Sequence, residues 1–394
     1  MQTPNSLRTF IGIFGRTNVG KSTILNLLSG QNAAITSSFA GTTTDPVKKA
    51  VEFENLGAVT LIDTAGFCDT DALGKKREQK TLKALNEINF ALIVVKNGIW
   101  GEIEDKILNF CISEKLKFLI VCNEFNKKDD NFVEFLANKG DYISINAVNS
   151  DDKEKLINEI NTHFKPENEP KLLENLVKKG DIVLLVTPID DEAPKGRLIT
   201  PQVQSIRAIL DKNAIAITAQ TNEIPHTLDS LKTPPDLVIC DSQCLEECLQ
   251  ILPKTQKITT FSMIFAEFKG DFTELLNGAN IISSLRKNDE ILISEACSHN
   301  AKDGDIAKVK IPKMLEKFLG FKPKISYCVG NDFPDNLKIF KLVIHCGACM
   351  LNRKAMISRI KNVKDAGVAI TNYGMTISVC KNELERTKAP FFDF

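Results

Sequence analysis

The sequence has no excess of charge of either sign, because its 394 residues include 50 lysines and arginines and 50 aspartates and glutamates. This balance gives no electrostatic reason to expect a nucleic acid or an anionic membrane as a partner. No apolar run is long enough to cross a bilayer, and the first residues do not read as a secretory signal. The eleven cysteines then indicate a reducing compartment, so we expect a cytoplasmic protein whose thiols are free or metal-bound.

Histidine is scarce, with four in the whole chain, and two of the four lie beside cysteines near the C-terminal end. The first set of donors is Cys297 and His299, and the second is His345, Cys346 and Cys349. Each set follows a short apolar run, and a helix-like run follows the second set, which would favour thiolates at its N-terminus. Thiolates and imidazoles in this number predict either an iron–sulfur cluster or a structural zinc site with three cysteines and one histidine.

A phosphate-binding loop lies near the N-terminus. Residues 15–22 read Gly-Arg-Thr-Asn-Val-Gly-Lys-Ser, between an apolar strand pattern and a helix-like run. In such a loop the backbone N–H groups bind phosphates, Lys21 contacts the β- and γ-phosphate oxygens, and Ser22 binds Mg²⁺. The nucleotide contacts expected from this stretch are Gly15, Asn18, Val19, Gly20, Lys21, Ser22 and Thr23.

Two later stretches match the segments of nucleotide switches that sense the γ-phosphate. Thr42 and Thr43 lie in a Gly-Thr-Thr-Thr-Asp loop that is expected to close over Mg²⁺ and the γ-phosphate, with Thr43 as a second magnesium ligand. Asp63 ends a strand pattern and should serve the metal, and the N–H of Gly66 should contact the γ-phosphate. Phe67 follows where Ras-like proteins have a glutamine, so hydrolysis needs another group. The catalytic residues expected are Lys21, Thr43, Asp63 and Gly66.

The motif that reads the base is ambiguous. Directly after a strand pattern the chain has Asn123-Glu-Phe-Asn126, whereas the Asn-Lys-x-Asp spelling occurs three residues later, from Asn126 to Asp129. Either the loop is longer and Asp129 pairs with guanine, or Asn126 takes that place and guanine selectivity is weak. Guanine is the favoured base. The contacts expected here are Asn123, Asn126, Lys127, Asp129, Asn146 and Ala147.

Strand and helix patterns alternate through the rest of the chain, which predicts α/β folds with parallel sheets. Residues 170–265 form one such segment, in which we expect the apolar run at 257–265 to be a strand. Residues 266–394 form the other, with a late strand expected at 375–379. Residues 170–265 show no second phosphate loop.

Cys240, Cys244 and Cys248 are spaced by four residues, which invites a metal-site interpretation. Free cysteine is among the most buried residue types. We therefore interpret these three thiols as apolar side chains that pack against the sheet.

Residues 8–165 resemble the GTPases of the TrmE and Era kind, through the phosphate loop and the switch motifs. Joined to the two cysteine–histidine sets, they make nearly the whole chain resemble the HydF family of FeFe-hydrogenase maturation GTPases. Matching stretches include Ala-Pro-Lys-Gly-Arg at 193–197, Asn-Asp-Phe-Pro at 331–334 and Ile-Thr-Asn-Tyr-Gly at 370–374. The resemblance implies an α/β chain with a P-loop GTPase domain (1–165), a small parallel-sheet dimerisation domain (170–265) and a 4Fe–4S cluster-binding domain (266–394).

The resemblance also implies cofactors and ligands. GTP or GDP and Mg²⁺ would bind the first domain, with Asn18 holding a K⁺ ion against the phosphates as an activator. A 4Fe–4S cluster would be held by Cys297, Cys346 and Cys349, with an exchangeable fourth ligand. Both His299 and His345 stay open for that position.

The function implied is that of a homodimeric scaffold. It would receive a di-iron precursor made by the radical SAM maturases HydE and HydG and deliver it to apo FeFe-hydrogenase. The rival interpretation is an RNA-associated GTPase of the Era or TrmE kind with a zinc-stabilised tail, which requires a basic surface that the zero net charge does not support.

Overall fold

The computed structural model forms two compact units, Met1–Glu169 and Pro170–Phe394. Both are α/β structures, as the sequence predicts, and all but one of the strand pairings are parallel among the described residues. No described helix combines the length and the apolar character needed to cross a membrane. The structure describes residues 3–4, 7–30, 47–63, 87–124, 130–165, 170–189, 198–296, 305–330, 333–334, 336–349 and 351–392.

The first unit contains a six-stranded sheet in the order β2-β3-β1-β4-β5-β6, in which only β2 runs antiparallel to its neighbour. The strands are Thr9–Phe14 (β1), Val47–Phe53 (β2), Gly57–Asp63 (β3), Phe90–Lys96 (β4), Lys117–Asn123 (β5) and Tyr142–Ile145 (β6). The described helices are Lys21–Ser29 (α1), Glu102–Ser113 (α2), Asp130–Ala137 (α3) and Asp152–His163 (α4). Side chains of the central strands are buried on both faces, which explains their nearly continuous apolar sequences.

β1 lies between β3 and β4, and this position determines where a ligand can bind. Ile13 pairs with Asp63, so the chain leaves β1 and β3 at the same edge of the sheet. In open α/β sheets, ligands bind outside the carboxyl ends of the strands. The loop after β1 and the acid at the end of β3 therefore face a common space.

The second unit contains two four-stranded parallel sheets, in the orders β10-β9-β7-β8 and β12-β11-β13-β14. The strands are Ile182–Val186 (β7), Ile215–Ala219 (β8), Leu237–Cys240 (β9), Ile258–Thr260 (β10), Glu290–Glu295 (β11), Lys324–Val329 (β12), Leu342–His345 (β13) and Ala369–Asn372 (β14). One continuous hydrophobic core contains residues of both sheets. The described helices are Thr200–Asp211 (α5), Ile224–Asp229 (α6), Leu245–Ile251 (α7), Phe261–Lys269 (α8), Phe272–Ile281 (α9), Ile311–Leu319 (α10), Arg353–Asp365 (α11), Tyr373–Cys380 (α12) and Leu384–Lys388 (α13).

Of two segments that the sequence pattern assigns to strands, one is a helix and the other is a strand only in its first part. The run at 257–265 contains the short strand β10 and the start of α8, and the run at 375–379 lies inside α12. Each helix begins at a side-chain cap: Thr260 accepts from the N–H of Met263, and Asn372 accepts from the N–H of Met375. Both helices are buried on nearly all sides, so their sequences lack the polar face that distinguishes a helix from a buried strand.

Gly278 is a position where the fold requires glycine, because α9 packs directly on the backbone of β14. A Cβ atom at Gly278 would lie 1.9 Å from the carbonyl oxygen of Ile370. We expect Gly278→Ala to lower the free energy of unfolding by about 1–3 kcal/mol, measured by denaturant titration, since backbone must shift to relieve the clash. Asn277→Ala, at an exposed position of the same helix, should change it by less than about 0.5 kcal/mol. Equal stabilities of the two variants would contradict this packing.

Candidate functional site

The loop after β1 has the backbone of a phosphate-binding loop. Gly15 and Gly20 have φ values of 147° and 98°, and a Cβ atom at Gly15 would lie 2.3 Å from the carbonyl oxygen of Val94. Lys21 is 7% exposed, and its Nζ donates to the carbonyl oxygens of Gly15 (3.1 Å) and Arg16 (2.6 Å). Lys21 is thus held inside the loop, where a phosphate would take over from the carbonyls as its partner.

Ser22 and Asp63, both expected to serve a magnesium ion, lie together. Ser22 Oγ donates to Asp63 Oδ2 at 2.8 Å. Burial raises the pKa of Asp63, while the Ser22 hydrogen bond and the charges of Lys21 and Lys49 oppose the shift. A hydroxyl and a carboxylate oxygen so arranged are hard donors of the kind that Mg²⁺ prefers. Thr42, Thr43 and Gly66 lie outside the described residues, and their roles stay predictions.

Asn123 joins two loops that flank the expected nucleotide. It is fully buried, its Nδ2 donates to the carbonyl oxygen of Val19 at 3.0 Å, and its Oδ1 accepts from the N–H of Ala147 at 3.1 Å. One side chain therefore fixes both the phosphate loop and the loop after β6. Asn146, beside Ala147, uses its Oδ1 to accept from the N–H of Val148.

The base-reading residue stays undecided. Asn123 is the last residue of β5 and holds the loops as the leading asparagine of such a motif would. Asn126, Lys127 and Asp129 lie outside the described residues. Both alternatives, Asp129 or Asn126 opposite the base, therefore remain open.

An ion pair that was not predicted from the sequence supports the phosphate loop. The guanidinium group of Arg16 donates to both carboxylate oxygens of Glu104, at 2.7 Å each. Glu104 is 1% exposed and also accepts from the N–H of Gly101 at 2.9 Å. Glycine followed three residues later by glutamate, at the start of a helix, is the signal of a capping interaction that would have identified Glu104.

The strands that precede the two cysteine–histidine sets in the sequence are neighbours in one sheet. β11 and β13 are parallel neighbours, and Ser294 pairs with His345, so the chain leaves both strands at the same edge. Just beyond them, the N–H of Ala296 donates to Cys346 Sγ at 3.2 Å. Cys297 and His299 lie outside the described residues. Ala296 is the last described residue before them.

Two backbone N–H groups are directed at the sulfur of Cys346. Burial raises the pKa of the Cys346 thiol, and backbone hydrogen bonds from Ala296 and Ala348 oppose that shift. Ala348 has φ 52°, a left-handed conformation that bends the loop between Cys346 and Cys349. N–H groups directed at a sulfur stabilise the thiolate, which is the form that binds metal. The donors present therefore fit a thiolate-held metal group.

The described residues alone do not complete a metal site. Within them, no group of three or more histidine, cysteine, aspartate or glutamate side chains is placed to hold an ion. Cys346 and Cys349 are described and Cys297 is not, so the assembly of the three thiols stays a prediction. Both cysteines precede Asn352, the N-cap of α11, and so lie in the loop before the helix rather than at its first residues.

His345 has both ring nitrogens in use. It is fully buried, its Nδ1 lies 2.8 Å from the carbonyl oxygen of Cys346, and Nη1 of Arg359 lies 3.0 Å from its Nε2. Burial and the charge of Arg359 lower the pKa of His345 to about 4, against the opposing effect of the Cys346 carbonyl. In the neutral tautomer that this network requires, Nδ1–H donates and Nε2 accepts, which leaves no lone pair for a metal. His345 in this arrangement is therefore not available as a metal ligand, and His299 lies outside the described residues.

Cys240, Cys244 and Cys248 lie in a separate hydrophobic core with β7 and β9 residues. Burial raises the pKa of Cys244 to about 11, and the Cys248 hydrogen bond and burial raise that of Cys240. Thiols that stay neutral in apolar surroundings behave as small hydrophobic side chains, as the sequence interpretation holds.

Three family models match the chain. Residues 172–270 match the hydrogen maturase F dimerization domain, residues 273–390 the hydrogen maturase F tetramerization domain, and residues 10–124 a family described as 50S ribosome-binding GTPase. The two maturase matches follow one another directly and together span more than half of the 394 residues.

Curated relatives match over part of the chain. GTPase Der of Sulfurimonas denitrificans is 31% identical over 159 residues, which are 39% of this chain and 28% of that protein. The tRNA modification GTPase MnmE of Listeria welshimeri is 35% identical over 156 residues, which are 39% of this chain and 34% of that protein. The chain thus spans about a third of the length of these relatives.

Among solved structures, Era of Aquifex aeolicus bound to GDP and AlF4⁻ is 20% identical, with 53% of this chain and 91% of that chain covered. The TM-score is 0.34, which is too low to support any statement about this chain.

We expect Asn123→Ala to loosen both loops that Asn123 joins. The substitution leaves the buried carbonyl of Val19 and the N–H of Ala147 without this partner, so the free energy of unfolding should fall by about 1–3 kcal/mol, measured by denaturant titration. The control Asn138→Ala removes an exposed asparagine, directly after α3, that donates to the carbonyl oxygen of Glu134. It should lower the free energy of unfolding by less than about 0.5 kcal/mol. An Asn123→Ala protein as stable as the control would contradict the bridging role.

Proposed function

Because the chain belongs to the hydrogen maturase F family, we propose that it is a GTP-hydrolysing scaffold for the maturation of FeFe-hydrogenase. It binds a 4Fe–4S cluster and a di-iron precursor, and it delivers the precursor to apo-hydrogenase. The observation that carries the cluster-binding role is the contact of the Ala296 N–H with Cys346 Sγ, since it joins the end of β11 to the second cysteine motif.

The GTPase half rests on the geometry around the phosphate loop. The backbone of the loop binds the phosphates, Lys21 contacts the β- and γ-phosphates, and Ser22 holds Mg²⁺ beside Asp63. Thr43 supplies a second magnesium ligand and Gly66 an N–H to the γ-phosphate. Asn18, which has φ 63° within the loop, holds the activating K⁺ ion. A cation there offsets charge that develops on the phosphates, which is the role of an arginine finger in other GTPases.

The cluster half rests on the donors at the edge of β11 and β13. Cys297, Cys346 and Cys349 hold the cluster, and His299 is the favoured fourth ligand because His345 is engaged by Arg359. When bound, the cluster supplies an iron with an exchangeable ligand, to which cargo attaches and from which it is released. An imidazole is a weaker ligand for that iron than a thiolate and therefore easier to exchange.

The domain roles follow from the same division of the chain. Residues 1–165 act as the GTPase, residues 170–265 as the dimerisation domain, and residues 266–394 as the cluster-binding domain. The match at 273–390 is described as a tetramerization domain, so the same segment also contributes to assembly in this proposal. The homodimer is the basic unit.

The partners proposed are the radical SAM maturases HydE and HydG, which supply the precursor, and apo FeFe-hydrogenase, which receives it. Nucleotide state controls the association of these partners by reorganising the loops around the γ-phosphate. The cysteines that the structure describes are all free thiols, which supports a cytoplasmic location.

The proposed GTPase activity is tested with Lys21→Ala. Loss of the ammonium group should lower the rate of GTP hydrolysis by at least about 100-fold, since this charge contacts the transferring phosphate. Lys106→Ala, an exposed lysine on α2, should keep the wild-type rate. Both proteins should bind the same amount of iron, since the cysteines lie in the other compact unit. Unchanged hydrolysis in Lys21→Ala would refute the assignment of the phosphate loop.

The scaffold half is tested with Cys346→Ala, reconstituted anaerobically with iron and sulfide. We expect it to lose the electron paramagnetic resonance signal of a reduced 4Fe–4S cluster, because the central thiolate of the set is gone. Cys380→Ala, a half-buried cysteine outside the set, should keep the signal. A colourless wild-type protein with one bound zinc would instead favour the rival, an RNA-associated GTPase with a structural zinc tail.

A further inference from the structure

A buried lysine lies beside the second cysteine motif. Lys269 is 2% exposed and is the last residue of α8. Its Nζ donates to the carbonyl oxygens of Ala348 (2.9 Å) and Cys349 (3.3 Å) and lies 5.4 Å from the ring centre of Phe265. The ammonium group is therefore held against the backbone of the loop that presents Cys346 and Cys349.

This ammonium group has no acidic partner in the part of the chain that the structure describes. Its hydrogen bonds go to two neutral carbonyl groups, and no described carboxylate lies within 4.0 Å of Nζ. Burying an unpaired charge is costly in free energy, so lysines in such places normally face an anion. The loop that Nζ contacts presents the sulfurs of Cys346 and Cys349, which become anionic when they bind a metal.

The backbone on both sides of Lys269 is held by hydrogen bonds from Arg353. Nη1 of Arg353, the first residue of α11, donates to the carbonyl oxygens of Phe268 (2.8 Å) and Gly270 (3.1 Å). Lys269 therefore bonds the end of α8 to the cysteine loop. Arg353, at the start of α11, bonds back to the end of α8. Lys269 belongs to the segment that matches the dimerization domain, and the cysteines belong to the segment that matches the tetramerization domain.

We propose that Lys269 is the buried counter-charge of the cysteine site, which offsets the negative charge of the Cys346 and Cys349 thiolates and of the cluster they hold. The inference rests on the proposed function. A 4Fe–4S core with three thiolates carries net negative charge, and reduction adds one further electron. A fixed positive charge nearby stabilises the reduced form more than the oxidised form, so Lys269 raises the reduction potential of the cluster.

The charge of Lys269 can be separated from its hydrogen bonds by substitution. Lys269→Gln keeps N–H donors for the two carbonyls but removes the charge. Lys269→Arg keeps both the charge and the donors, and Lys269→Met removes both. Lys338→Gln removes an exposed lysine elsewhere in the same unit and serves as the matched control.

The experiment is a redox titration, followed by electron paramagnetic resonance, of the full-length proteins reconstituted anaerobically with iron and sulfide. For Lys269→Gln we expect the ratio of reduced to oxidised cluster at a fixed ambient potential to fall at least tenfold, which is about 59 mV for one electron. Lys269→Met should shift in the same direction. Lys269→Arg and Lys338→Gln should stay near the wild-type potential.

A second readout uses stability. In wild type, cluster loading supplies the anion that Lys269 lacks, so the rise in melting temperature on loading should be larger for wild type than for Lys269→Gln. If Lys269→Met does not fold, the pair Lys269→Gln and Lys269→Arg still decides the question.

Equal potentials in wild type, Lys269→Gln and Lys269→Arg would overturn the counter-charge and leave Lys269 a hydrogen-bond donor only. Failure of the wild-type protein to bind iron and sulfide is a different result. It would overturn the proposed cluster function itself, and this inference with it.

Discussion

The parallel pairing of β11 with β13 is the constraint on which the cysteine site depends. Two neighbouring parallel strands deliver the residues that follow them to the same edge of a sheet, however far apart they are in sequence. Ala296 and Cys346 are fifty residues apart, yet the N–H of one contacts the sulfur of the other. The loop after β13 then contains one left-handed residue, Ala348, between Cys346 and Cys349.

The first unit uses the same rule for a different ligand. β1, β3 and β5 end at one edge, so the phosphate loop, Asp63 and Asn123 surround a common space. Asn123 then bonds the phosphate loop to the loop of Ala147, so one buried side chain joins these two loops. In both units, polar groups for the ligand lie at strand ends and apolar strands below them provide a rigid support.

Local motifs made much of this structure predictable from the sequence, because each motif contains its own physical signal. The phosphate loop combines glycines, a lysine and a strand–helix setting, and the parallel α/β class follows from alternating patterns. Helices α8 and α12 were not recognised because burial on nearly all sides removes the polar face that marks a helix. The contacts of Lys269 and the Arg16–Glu104 pair were not predicted. In each case the two partners are about eighty residues or more apart in the sequence, and a local sequence pattern contains no information about such contacts.

The most direct test of the central claim, that one chain unites a nucleotide switch with an iron–sulfur scaffold, is native mass spectrometry under anaerobic conditions. The protein would be reconstituted with iron, sulfide and zinc together and then mixed with GDP. We expect protomers that carry four irons and four sulfides and that also bind one GDP. Protomers that carry a single zinc ion and no sulfide would contradict it, whatever their nucleotide content.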